Sequence, residues 1–170
     1  KGGEKQTGLI NQNVGLKIAL PDGFRLVDSK DGFIHLLKDF DNGEQRLIIQ
    51  RIDSKTKNKE QIVTLKNQIL EKNIQGEIDG SFPGIYNQKP AKIHIQKTKK
   101  GPWDIIELRG LWKMLNEPAP YGGPFISYVL SQTNKEGAVL FSFYIFDPGG
   151  NKADHLIEGE AIGTSLWELN

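Results

Sequence analysis

The run Val139-Leu140-Phe141-Ser142-Phe143-Tyr144-Ile145-Phe146 is apolar at almost every position. Side chains of a strand point alternately to its two faces, so such a run is apolar on both. A strand of this kind sits centrally in a sheet and needs a layer packed on each side. That requirement constrains the fold more than any other feature of the chain. Asp147-Pro148-Gly149-Gly150 stops the strand, and Ala138 begins it. With 170 residues the chain is long enough for one domain with a core of this kind, and two independent domains would be cramped.

The remaining elements follow from periodicity. Residues Val14 to Leu20 alternate, with Leu16, Ile18 and Leu20 on one face, and predict a half-buried strand. Pro21-Asp22-Gly23 turns the chain into Phe24–Val27, and Ser29-Lys30-Asp31-Gly32 into Phe33–Leu37. The Asn42-Gly43 pair signals a hairpin leading to Arg46–Ile52. Short turns between close strands imply antiparallel pairing. The period then changes: Ile62, Leu65, Ile69 and Leu70 recur at helical spacing from Asn58 to about Asn73, with Lys59, Glu60, Lys66 and Glu71 on the wet side. Asn58 is the expected N-cap.

Gly76 to Pro90 reads as a long surface connection, with Phe82 or Tyr86 as an aromatic anchor. Lys92–Lys97 and Trp103–Trp112 are strands, the second with a phase slip at Ile105-Ile106 and a Gly110 interruption that predict a bulge. Asn116–Pro124 reads as a loop, and Phe125–Leu130 pairs with the central strand through Asn134-Lys135-Glu136-Gly137. A last helix opens at Asn151, carrying Ala153, Leu156, Ile157, Leu166 and Leu169 at helical spacing. Gly159 and Gly163 weaken it but permit close approach to the sheet. Grouped elements in the order strands, helix, strands, helix give an α+β fold, a mainly antiparallel sheet with two principal helices. Residues 1–13, polar and glycine-rich, are expected to be a flexible N-terminal segment, and 14–170 a single α+β domain.

Several function classes are disfavoured by composition. Lys and Arg number 22 against 21 Asp and Glu, so the surface carries no overall basic footprint for nucleic acid. There is no Cys, which removes thiol catalysis, disulfides and thiolate metal sites from this chain. His35, His94 and His155 do not share metal-ligand spacing, and no cofactor or metal is expected. No serine stands in a G-x-S-x-G elbow, and Gly122-Gly123 and Gly149-Gly150 match no phosphate-binding motif. Lys97–Lys100 beside Trp103, and Lys55, Lys57 and Lys59, read as solvated basic runs.

The most unusual stretch is Glu107 to Phe125. Along its strand Glu107, Arg109 and Leu111 share one side, and Leu108, Gly110 and Trp112 the other. Glu107 and Arg109 can pair, and Trp112 can lie over the gap at Gly110. A loop bearing Tyr121, Gly122 and Gly123 follows, with an aromatic ring and free backbone N–H groups. Glu107, Arg109, Trp112, Lys113, Tyr121, Gly122 and Gly123 are therefore the expected ligand or partner contacts, and no catalytic residue is assigned.

Arg109-Gly110-Leu111-Trp112-Lys113 followed by Gly122-Gly123-Pro124-Phe125-Ile126-Ser127, with Ile18-Ala19-Leu20-Pro21-Asp22-Gly23-Phe24 and Phe33-Ile34-His35-Leu36, resembles the family known as domain of unknown function 4837. The likeness runs from about Val14 to the last helix. It implies an envelope lipoprotein of Bacteroidetes, of which this chain would be the C-terminal portion, anchored to a membrane only through a lipid lying outside it. The family brings no reaction with it. The layout, opened by Leu20-Pro21-Asp22-Gly23-Phe24, is also similar to the Mog1/PsbP-like arrangement, a likeness of fold that carries no activity. The expectation is thus an uncharacterised cell-envelope domain, a non-enzymatic module that binds an envelope protein or cell-surface component and no nucleic acid. Two rival readings are a small-ligand or enzymatic pocket near Glu107 and Arg109, and a structural half of a larger protein, which would leave a large apolar face uncovered.

Overall fold

A computed structural model of the chain describes residues 2–53, 58–74, 76–78, 93–114, 122–150 and 152–170. The elements are α1 (Gly2–Val14), β1 (Arg25–Lys30), β2 (Phe33–Phe40), β3 (Gly43–Ile52), α2 (Lys59–Asn73), β4 (Gly76–Ile78), β5 (His94–Lys100), β6 (Trp103–Met114), β7 (Gly122–Gln132), β8 (Ala138–Phe146) and α3 (Lys152–Glu168). The strands form one sheet in the order β1-β2-β3-β8-β7-β6-β4, with β5 also pairing β6, and every pairing is antiparallel. The α+β class with a mainly antiparallel sheet is therefore what the chain adopts. Its helices lie on both faces of the sheet.

As its composition requires, β8 lies inside the sheet between β3 and β7. Phe141, Phe143 and Ile145 enter one core with Ile10, Leu16, Ile18, Ile162 and Leu166, beneath α1 and α3. Leu140 and Tyr144 enter the opposite core with Ile62, Ile69 and Leu70 of α2. Two cores on one sheet account for the apolar phase slip in β6 as well. Ile105 belongs to the first core and Ile106 to the second. Both registers of β6 are continuous, so the expected bulge is not there. A register shift occurs in β1 instead, between Leu26 and Asp28.

The N-terminal residues are the main correction to the fold. In place of a flexible segment 1–13 there is a helix, α1, with Ile10 fully buried. Its polar residues are its outer face, and the single apolar stripe through Ile10 and Val14 suffices to seat it on the sheet. Gly15 ends it at φ 82, its N–H donating to the Asn11 carbonyl, the left-handed stop that glycine adopts at least cost. Residues 16–20 then alternate buried and exposed as anticipated, but they join no sheet. Their backbone partners are side chains of the helices and the C-terminus: Ala19 N donates to Ser165 Oγ (2.8 Å), Lys17 N to Asn170 Oδ1 (3.0 Å), and Thr7 Oγ1 of α1 to the Ile18 carbonyl (3.3 Å). The helices thus number three among the described residues.

In α2, Asn58 is the N-cap, its Oδ1 accepting from Glu60 N and Gln61 N. In α3, Gly159 and Gly163 lie one turn apart against the rings of Phe143 and Tyr128, so the absent side chains do let helix and sheet close up. Ile157, expected on the inner face, is 63% exposed. Gly122 and Gly123, expected in a loop, begin β7 opposite Lys113 and Trp112. A Cβ at either would run into a neighbouring strand's carbonyl oxygen, of Trp112 or Ile145. The anchors Phe82 and Tyr86, Lys55 and Lys57, and Asn116–Tyr121 lie outside the described residues.

Candidate functional site

The residues expected to form one contact surface divide between the two faces of the sheet. Glu107 and Arg109 face α3. Arg109 Nε donates to Glu107 Oε2 (3.1 Å), and its Nη2 to Glu160 of α3. Burial works against the guanidinium charge, but the hydrogen bonds and charges of Glu107 and Glu160 outweigh it and hold the proton more tightly than usual. Tyr128 completes the group. Burial first, then the Glu107 charge, pushes its phenol well above the ordinary value. Arg109 is about one-third exposed and doubly paired, a clamp between β6 and α3.

Trp112 faces α2 and is 1% exposed. Its Nε1 donates to the Ile145 carbonyl (3.0 Å), and its ring meets Tyr144 edge-on. It does not cover Gly110; Phe125 does, with its ring 2.9 Å from where a Cβ would stand. Lys113 pairs with Gly122 across β6 and β7, and both are half-buried. Tyr121 lies outside the described residues. A patch built on Trp112 is therefore not offered to a partner.

The most unexpected group lies between α2 and the sheet. Lys66, expected on the wet side of its helix, is fully buried. Its Nζ donates to Ser142 Oγ (3.0 Å) and Tyr144 Oη (3.0 Å), is bonded to Ser127 Oγ as well, and sits over the rings of Phe125 and Tyr144. Among the described residues no carboxylate pairs with it. Burial drives its proton affinity well below the usual lysine value, and raises that of the Tyr144 phenol. The signal was legible: Lys66 follows Ile62 by four residues and precedes Ile69 and Leu70 by three and four, so it stands in the apolar stripe. Ser127 and Ser142 are likewise the polar interruptions of two apolar strands, paired directly across β7 and β8.

A deprotonated amine beside a serine hydroxyl is the arrangement that activates serine nucleophiles. Ser127 and Ser142 are 0% and 1% exposed, so this pair meets no substrate. A second polar group joins β3 to α3: His155 Nε2 lies 2.7 Å from Asp147 Oδ2 and its Nδ1 2.6 Å from Gln45 Nε2, with Phe40 stacked on the ring. His35, on the α2 face beside Arg46, is 1% exposed; burial, then the Arg46 charge, lowers its pKa to about 4. Among the described residues no cluster of His, Asp and Glu has the form of a metal site.

Open space lies elsewhere, at the end of the sheet where β3 finishes and β8 begins. On the α3 face a groove of about 440 Å³ has Leu16, Trp103 and Leu130 in its walls and Arg51, Asp53 and Lys135 among its polar residues. On the α2 face a cleft of about 300 Å³ separates α2 from the β1–β2 turn, and Arg51 borders both spaces. Neither is lined by Glu107 or Arg109.

Residues 4–165 match the family described as domain of unknown function 4837. The chain belongs to that family. The match takes in nearly all of both cores, the Lys66 group and most of each of the three helices described, so what is described above is the architecture of a DUF4837 domain. No curated protein matches this DUF4837 chain.

Proposed function

We propose that this DUF4837 domain is a non-enzymatic binding module of the cell envelope, carried by a lipoprotein and directed at an envelope protein or cell-surface component. The observation that carries the binding reading is the open groove at the β3–β8 end, whose volume of about 440 Å³ lies in the range of small-ligand sites.

The non-enzymatic reading is supported by where proton chemistry sits. Lys66, His35 and Tyr144 have strongly shifted proton affinities, yet each is 1% exposed or less. Catalytic acids and bases need both the shift and access to substrate. The structural-half reading needs a continuous bare apolar face. Among the described residues the exposed large apolar side chains are Leu26, Val27, Ile95, Ile157 and Leu169, scattered over β1, β5, α3 and the C-terminus. The envelope placement rests on the sequence resemblance to lipoproteins.

The test is a calorimetric screen of the purified chain against envelope-derived peptides and oligosaccharides, run beside ester, amide and phosphoester reporters. Saturable binding that weakens in Lys135→Glu, with no reporter turned over, is expected. Turnover removes the non-enzymatic reading, and silence across the panel removes the binding one. Fractionation of the full-length protein with cytosol would overturn the envelope placement.

A further inference from the structure

The cleft between α2 and the β1–β2 turn has a composition unlike that of the chain. Lys30, Arg51 and Lys72 border it with Asp31 as the one acid, although the whole sequence balances 22 cations with 21 anions. Gln50, Gln68 and Asn73 add three amide side chains. Each amide offers donors and an acceptor, a set suited to hydroxyl groups. The floor is Phe33 and Ile69, both buried, so the polar groups stand around an apolar base.

The cations are held from three directions. Lys30 Nζ stands 4.9 Å from the centre of the Phe33 ring, while its link to Asp28 is long, at 4.0 Å. Arg51 packs over Gly32, whose φ of 76 forms the tight turn and whose missing Cβ leaves Nη2 its place. Arg51 Nη2 donates to Asp31 (3.0 Å), a carboxylate 88% exposed and free to swing aside. Lys72 reaches the cleft from the last turn of α2. Asn73 Nδ2 is committed to the Ile69 carbonyl (2.9 Å), a bond that fixes the side chain.

We propose that this cleft is a binding site for a small anionic saccharide, a sugar bearing a carboxylate, sulfate or phosphate. The guanidinium and the two ammonium groups take the anion, and the amides take ring hydroxyls. About 300 Å³ accommodates one or two sugar rings. The site deepens the binding reading given above but uses a different space, on the opposite face of the sheet from the groove.

The experiment is calorimetric titration of the full chain with glucuronate, glucose 6-phosphate, glucose and inorganic phosphate at low and at physiological salt. Both anionic sugars are expected to bind at least about tenfold more tightly than glucose or phosphate alone, and to weaken as salt screens the cations. Lys30→Gln with Lys72→Ala, two substitutions outside both cores, should weaken them about tenfold while circular dichroism stays unchanged. Equal binding of phosphate and glucose 6-phosphate would make the cleft an unspecific anion site and overturn the proposal. Equal binding of glucose, an unaffected double variant, or no binding would overturn it too. Because Lys135→Glu reports on the groove alone, loss of one reading leaves the other measurable.

Discussion

Lys66→Met removes the buried amine from the core under α2 while keeping the volume of the side chain. In the folded protein the amine is surrounded by Ser127, Ser142, Tyr144 and Phe125, with no carboxylate among the described residues to hold a proton on it. Other charged or titratable groups on that sheet face include His35, Asp28, Lys30, Arg46 and Glu44, the last two paired with each other. In the unfolded chain the same amine titrates near about 10.4. Because its folded proton affinity is depressed, the unfolded chain holds about one proton more than the folded one in the window between the folded and the unfolded pKa. Wild-type stability therefore rises with pH up to the unfolded pKa, by about 1.4 kcal/mol per pH unit for one proton. Lys66→Met lacks this dependence. Urea denaturation of both proteins at several pH values between 8 and 9.5 isolates it, since all other groups cancel in the difference. The advantage of the variant should shrink by about 2 kcal/mol across that interval. A difference that stays flat would mean that Lys66 carries its proton in both states, and the account of the buried amine would fail.

Four further substitutions address the rest of the fold. His35, with its pKa lowered to about 4, contributes stability above its unfolded value and loses it as pH falls from about 6.5 towards 4. Wild type should lose roughly 3 kcal/mol more over that range than His35→Leu, read from urea midpoints. Gly163→Ala places a Cβ 2.6 Å from Tyr128 Cδ2 and should destabilise by about 1–2 kcal/mol despite better helix propensity. Gly8→Ala in α1 meets nothing within 4 Å and should stabilise by up to about 1 kcal/mol, so thermal melts that move both variants the same way would refute the packing argument. Trp112→Phe loses the hydrogen bond to Ile145 and part of a filled core, and should cost about 2 kcal/mol in chemical denaturation.

Period-two and period-3.6 patterns carried most of the fold because each strand or helix with a single dry face announces that face. They misled where two cores met one strand: the double apolar phase of β6 imitates a bulge when only one covered face is imagined. Residues 16–20 alternate correctly but find their partners in side chains of α1, α3 and the C-terminus, and no local pattern distinguishes a paired strand from an extended segment docked on helices. The Glu107–Arg109 pair was legible from its spacing, whereas Glu160 enters from an element fifty residues on. Lys66 has the residue type of a wet face but the position of a dry one, in line with Ile62, Ile69 and Leu70. The cationic cleft joins residues of β1, β3 and α2, and only the tertiary fold assembles it.

The sheet is two local meanders, β1-β2-β3 and β6-β7-β8, joined along the single seam where β3 meets β8. Partners across that seam are roughly 90 residues apart in the chain, so closing it carries a large loss of chain entropy before any contact compensates. Each meander can collapse quickly by itself, but neither can complete its core alone, since β8 contributes to both layers. Folding should accordingly be limited by the encounter of two half-formed sheets. Until it occurs, the edges of β3 and β8 are open to a second molecule, and an exchanged dimer is the characteristic error such a chain would make at high concentration.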